Sequence, residues 1–285
     1  MYFQTLDDKR KCVGIYKEGK LHFDSIPSDL RRTWSFTGSI EDKNVEYAQI
    51  YASGKSLEEA CPEDHKEELK ESQKKFDSCI KSFATAKIDP RDHCLFDLIP
   101  QRFLMQFCEI RNKITKHVFE NYEKPRNYNL LCDSYKLLHK IKYQNLNLNT
   151  DNCRELLLST KNRDKVASLL KSRYVSYNLF GAVTGRLTTH QKSFPILSVR
   201  KDFRKLIKPN DDWFLQLDYN SADVRTFINL IGQDQPEGDV HEWNVENLFN
   251  SNCTREEAKV KFFAWLFNPD SNVVENERYK RDKVL

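Results

Sequence analysis

The sequence predicts an α+β chain, and three features predict it. Near the N-terminus CVGIYKEGKLHFD reads as a β-hairpin around Lys17–Lys20, two apolar runs with a turn between them. From residue 100 to residue 172 apolar residues recur at helical spacing in four successive stretches. Further on, WFLQLDYNSADVR passes from the alternation of a strand to the spacing of a helix.

In order, residues 1–100 form an accessory α+β region of open role. After the hairpin, TWSFTG reads as another strand, and from Pro62 a charged helix runs through HKEELKESQKKFDSCIKSF with Phe76, Ile80 and Phe83 on one side. Residues 101–175 read as helices: PQRFLMQFCEIRNKITKHVFENY, NLLCDSYKLLHKIKY, DNCRELLLS and RDKVASLLKSR. Pro125, Asn127 and Asn129 mark the break between the first two. Residues 176–250 hold a glycine-flanked turn, GAVTGRLTT, carrying Arg186, and then the strand-to-helix segment. Trp213, Leu215 and Leu217 alternate with Phe214 and Gln216, Asp218 closes the strand, and Val224, Phe227, Ile228 and Ile231 mark the helix. GDVHEWNVENLF offers Asp239 as an N-cap and His241 in the first helical turn, where anions are favoured. Residues 251–285 begin with a helix from Arg255 to Phe267, for which Thr254 and Glu257 supply a capping box, and close on the charged, helix-compatible NVVENERYKRDKVL.

Two segments carry candidate chemistry. Arg255, Lys259, Phe263 and Phe267 stand at steps of four, so one helix face presents two cations and then two flat apolar rings. Such a face suits a triphosphate followed by a base, and an amphipathic core helix with two solvated cations has the same spacing. Asp218, with the backbone carbonyl of Tyr219, could hold a divalent metal together with phosphate oxygens, the ligand set Mg²⁺ favours. A helix-capping aspartate would look alike there. Residues 161–210 hold twelve Lys or Arg against two acids, while the whole chain carries only +4. Lys171, Arg173, Lys192, Arg200 and Arg204 belong to that stripe, with Tyr174, Tyr177, Phe180 and Phe194 interleaved. Such a pattern is the footprint of a phosphate-backbone site, or of a solvated basic surface.

The eight cysteines are dispersed, with no C-x-x-C pair, and read as reduced thiols, neither zinc site nor disulfide frame; His93–Cys94 reads as packing or a turn. No apolar run approaches a membrane span and no signal-peptide pattern opens the chain, so no membrane partner and a cytoplasmic location are expected.

Taken together, TGRL at Thr184–Leu187, DYNSADVR at Asp218–Arg225, DVH at Asp239–His241 and R-x3-K-x3-F-x3-F at Arg255–Phe267 resemble family A DNA polymerases, over about a third of the chain. The resemblance implies a thumb for residues 101–175, a partial palm sheet for 176–250 and the start of a fingers domain for 251–285. It implies primer–template DNA and dNTPs as partners and two Mg²⁺ ions in the complete site, one of whose carboxylates is Asp218. Arg255, Lys259 and His241 match triphosphate contacts. Phe263 matches the position beside the incoming sugar and base, Arg186 a contact to the primer terminus, and Arg225 a supporting arginine. The short Lys/Asn-rich chain also looks phage-like, which would make the location an infected host cell.

The chain departs from that family in three ways. Asp223 stands where the family carries a glutamate and Phe267 where it carries a tyrosine, so the pair that helps exclude a ribose 2′-hydroxyl lacks its donor. No D-x-E in strand context supports a proofreading exonuclease. No His-Asp-Glu string supplies the second metal carboxylate. The expectation is therefore one part of a split or truncated polymerase, nearly inactive alone, whose palm and fingers a second polypeptide completes. The alternatives are a non-catalytic primer–template-binding subunit, or degenerate remnant, and an RNA-synthesising relative, against which DYNSADVR argues.

Overall fold

A computed structural model describes residues 1–7, 12–90, 92–151, 153–268 and 270. Helices and small sheets are mixed, as the α+β expectation has it. The chain divides into a unit of Met1–Asp212 and a unit that starts at Trp213.

In the first unit the expected hairpin forms: Gly14–Lys17 pairs antiparallel with Lys20–Phe23, and Phe3–Thr5 adds a third strand. Its turn is Glu18–Gly19, both at positive φ (49° and 75°), the handedness that matches the twist of the flanking strands. The strand expected at TWSFTG is much shorter. Only Arg32–Thr33 pairs, parallel to Glu46–Tyr47, because Trp34 and Phe36 turn into the core instead of continuing a ladder. The charged helix runs over Lys66–Thr85, and Phe76 and Phe83 pack against a small core of Leu6, Tyr16, Ile99, Leu104 and Cys108.

The helices Gln101–Asn121 and Tyr128–Lys142 fall where the periodicity predicts them, with Asn127 as N-cap of the second. They do not form a body apart from the N-terminal region. Ile110, Ile114, Val118, Tyr128 and Cys132 share one core with Phe3, Ile15, Trp34 and Tyr47, and Gln4 donates to Asn112 (2.9 Å) and Thr115 (3.0 Å) inside it. A third core joins Cys153, Val166, Leu169, Val175, Phe194, Val199, Phe203 and Leu206. Its chain ends are closed by Asn147–Leu148 pairing antiparallel with Ile207–Lys208.

The cysteine expectation is overturned at one place. Cys12 and Cys94, 82 residues apart, are joined by a disulfide that ties the hairpin to the start of the short helix Leu95–Leu98. Cys61, Cys79, Cys108, Cys132, Cys153 and Cys253 are free thiols.

In the second unit the predicted helices form as Ala222–Leu230, Val240–Asn247 and Arg255–Phe267. One apolar core holds them together: Val224, Phe227, Ile228, Ile231, Val240, Phe262 and Trp265. The predicted strand before them does not form. Residues 213–219 have no regular structure, and Trp213, Phe214, Leu215, Leu217 and Tyr219 are 64–88% exposed. A strand exists only by pairing, and among the described residues none lies alongside this one. The closing NVVENERYKRDKVL falls outside the described residues. No described helix is long and apolar enough to cross a membrane.

Candidate nucleotide and nucleic-acid site

The helix Arg255–Phe267 starts with the expected capping box. Thr254 Oγ1 accepts from the Glu257 amide, and the Glu257 carboxylate accepts from the Thr254 amide. Its core stripe is Ala258, Phe262 and Trp265, all fully buried. The face carrying Arg255, Lys259, Phe263 and Phe267 is a different one and stays exposed or half-buried. Phe263 and Phe267 lie parallel with ring centroids 5.8 Å apart, and Phe267 is 70% exposed. Arg255, a cation in the helix's first turn, opposes the helix dipole, so its position costs stability unless anions stand opposite it.

Two such anions, Asp239 and Glu256, stand against Arg255. It donates through Nη2 to Asp239 Oδ2 (2.7 Å) and through Nη1 to Glu256 (2.7 Å). Asp239 is the N-cap that the sequence pointed to: its Oδ1 accepts from the amides of His241 (2.8 Å) and Glu242 (3.1 Å). Oδ2 also accepts from the Asn220 side chain (2.8 Å), two residues beyond Asp218. The Arg255 bond, and then those of Asn220 and the two amides, hold the Asp239 carboxyl well below the usual carboxylate range against the opposing effect of burial. This junction brings DYN, DVH and the start of R-x3-K-x3-F-x3-F to one carboxylate. The bond from Asp239 to Arg255 has no sequence signal, since an N-cap uses only one oxygen and the other's partner is set by packing.

His241, expected as an open phosphate contact, is instead 2% exposed, and its Nδ1 has no hydrogen-bond partner. Its ring stands 5.8 Å from that of Phe263. Burial lowers its pKa, Arg255 and Lys259 add to the lowering, and Asp239 opposes them. Between the folded value and the unfolded 6.5 the unfolded chain takes a proton that the folded chain refuses, so stability is whole above 6.5 and falls as pH drops below it. No other histidine lies beyond residue 212. Urea unfolding of the second unit is expected to weaken from pH 7 to pH 5. His241→Gln should flatten that slope, and an unchanged slope in the variant would assign it elsewhere.

Asp218 and Tyr219 are exposed, in the extended segment before Ser221, whose left-handed φ of 53° turns the chain into the helix Ala222–Leu230. Asp223 lies exposed in that helix's first turn. Arg225 has the supporting role expected of it. It donates to the carbonyls of Asn220 (3.0 Å), Pro236 (3.1 Å) and Gly238 (2.5 Å), lacing the loop before Asp239 to the loop after Asp218.

Asp218 and the Tyr219 carbonyl, the groups that would face a Mg²⁺ ion, lie exposed in a segment without regular structure, and a single carboxylate leaves a pair of ions short of protein ligands. Among the described residues the one grouping of three or more metal-donor side chains is Asp7, Cys12 and Cys94, whose two sulfurs are bonded to each other.

The basic stripe of residues 161–210 belongs to the stretch of chain that supplies most of the third core. Lys171, Arg173, Thr184, Arg186, Lys192, Arg200 and Arg204 are all exposed. Arg186 follows Gly185 (φ 74°) in the turn of a hairpin, Tyr177–Asn178 against Thr188–Thr189. Gly181 is required there because a Cβ would run into the Thr188 side chain. Phe194, one of the interleaved aromatics, is wholly buried and serves the core; Tyr177 is half-buried against that core, Phe180 is half-buried beside Gly54, and Tyr174 lines a cavity with Lys171 and Arg173.

No protein-family model matches the chain, and neither the curated proteins nor the solved structures contain a match to it.

Proposed function

We propose that this chain is one part of a split DNA polymerase of the family A type. It would contribute nucleotide and primer–template contacts to template-directed DNA synthesis, with a second polypeptide completing the palm and fingers. The observation that carries the reading is the convergence on Asp239 of three motifs that lie apart in sequence, beside a helix face on which Lys259 and Phe267 are exposed, Arg255 is half-buried and Phe263 packs partly against the core. On that face Arg255 and Lys259 would neutralise a triphosphate, and Phe263 and Phe267 would stack on a base whatever its identity. Mg²⁺, when bound, would activate the primer 3′-hydroxyl and stabilise the departing pyrophosphate. Asp218, with Tyr219, would supply one side of its coordination, and the missing carboxylate would come from the second polypeptide. Lys171, Arg173, Lys192, Arg200 and Arg204, with Thr184 and Arg186, would hold the primer–template backbone. Asp223 and Phe267, both exposed, cannot make the hydrogen-bonded pair that excludes a ribose hydroxyl, so discrimination against rNTPs would be loose.

A second reading, a non-catalytic primer–template-binding subunit, is favoured by one observation: Asp218 stands on no sheet and so lacks a rigid platform. Primer extension separates the two. With Mg²⁺ and dNTPs, the chain alone should be silent, and its mixture with a polypeptide bearing a His-Asp-Glu motif should extend the primer. Asp218→Ala should abolish that activity. Salt-sensitive DNA binding with no extension in the mixture would leave the binding-subunit reading.

A further inference from the structure

Asp239 uses all its acceptor capacity within the protein. A carboxylate offers about four lone-pair directions, and here Oδ1 takes the His241 and Glu242 amides while Oδ2 takes Asn220 and Arg255. It therefore has nothing left to offer a metal or a substrate. Its Arg255 partner is in the opposite state: a guanidinium has five N–H donors, and the bonds to Asp239 and Glu256 leave the rest for phosphate oxygens. Glu256 is a loose second partner, its side chain 74% exposed, whereas that of Asp239 is 17% exposed and pinned by the helix it caps.

The other arm of Asp239 reaches toward Asp218. Asn220 is fixed at three points: its Nδ2 by Asp239, its Oδ1 by the Val240 amide (3.4 Å), and its carbonyl by Arg225. Those ties hold the chain where Ser221 adopts its left-handed conformation, a backbone choice that a serine keeps only when its surroundings enforce it. The direction in which Asp218 and Tyr219 leave the helix is thus set from the same carboxylate that aims Arg255.

We propose that Asp239 is a positioning residue that couples the metal-side loop at Asp218 to the triphosphate-side guanidinium of Arg255. This rests on the nucleotide reading above and adds a link between its two halves. A nucleotide gripped by Arg255 would then tighten the loop that presents Asp218, and loosening that loop would weaken the grip.

Asp239→Asn is the informative substitution. Asparagine caps a helix about as well as aspartate. With its oxygen kept for the cap, however, its NH₂ would face the donors of Arg255 and Asn220. In the full chain, Mg²⁺–dATP binding by calorimetry should weaken about tenfold, roughly 1.4 kcal/mol. Exchange of the Val240 amide, which donates to Asn220 Oδ1, should rise about tenfold without nucleotide, while the core amides of 224–231 and 258–265 change little, which a purely structural role would not produce. Glu256→Gln should shift either readout less than twofold. In an Arg255→Ala background Asp239→Asn should cause no further loss of dATP binding. Binding that is unchanged or tighter in Asp239→Asn, or fully additive losses, would overturn the coupling. If the unsubstituted chain binds no Mg²⁺–dATP, the nucleotide reading falls and the exchange arm decides alone. Faster exchange of the Val240 amide in both Asp239→Asn and Arg255→Ala keeps the coupling, and unchanged exchange removes it.

Discussion

Trp265→Ala is expected to unfold the second unit while the first stays folded. Trp265 is fully buried, with its ring 5.6 Å from Phe227 and 5.5 Å from Phe262. Among the described residues of this unit only seven other apolar residues are buried, all from 224 onward, and none of the other cores includes a described residue of this unit. Removing a buried indole costs about 3–5 kcal/mol because the surroundings collapse only partly into the space. So small a core has little to spare against that loss. Limited proteolysis should cut within 213–268 of the variant and leave an N-terminal fragment ending near Asp212. Hydrogen exchange should lose the protection of the helices Ala222–Leu230 and Arg255–Phe267 together. A protease pattern like that of the unsubstituted chain would show that the three helices do not depend on this core.

The second large effect concerns DNA. Changing Lys171, Arg173, Arg200 and Arg204 together to alanine should weaken binding to a primer–template duplex by about two to three orders of magnitude near 0.15 M salt, and the slope of log K against log salt should flatten by about 0.9 for each phosphate no longer neutralised. All four side chains are exposed, and only Arg200 touches the third core, its guanidinium 5.6 Å from the ring centroid of Phe203, so the fold should persist. Arg200 already pairs with Asp202 (3.0 Å), a short-range surface pair that a phosphate can displace at little cost. Full affinity with an unchanged salt slope would place the nucleic-acid surface elsewhere and remove the basic stripe from the proposal.

What is legible in the sequence is local. The helix Arg255–Phe267 can be read to its first residue because Thr254 and Glu257 close a box within one turn. Val224, Phe227 and Ile228 of the helix Ala222–Leu230, and Ile231 just after it, all reach the core, because a helix presents one face to the same neighbours every turn. Where distant residues decide, the sequence carries no signal. The alternation from Trp213 to Leu217 marks a segment able to become a strand, but only a neighbouring strand can make it one. Cys12 and Cys94 carry no spacing signal across 82 residues. Polarity in His241 and an aromatic ring in Phe194 say nothing of how deep a residue lies, and both are buried. The Asp239 site is half legible: its capping role follows from Gly-Asp-Val-His, while its bonds to Asn220 and Arg255 depend on how three helices pack.

The exposed run from Trp213 to Tyr219 has a consequence for the chain as a material. WFLQLDY has a single charge, no proline and no glycine, the composition from which dry interdigitated fibril spines are built. With its amides outside any sheet, molecules that meet through this run can stack it in register, and crowding favours that stacking. Association in concentrated stocks is therefore expected to start at this short run, before the cores of either unit give way.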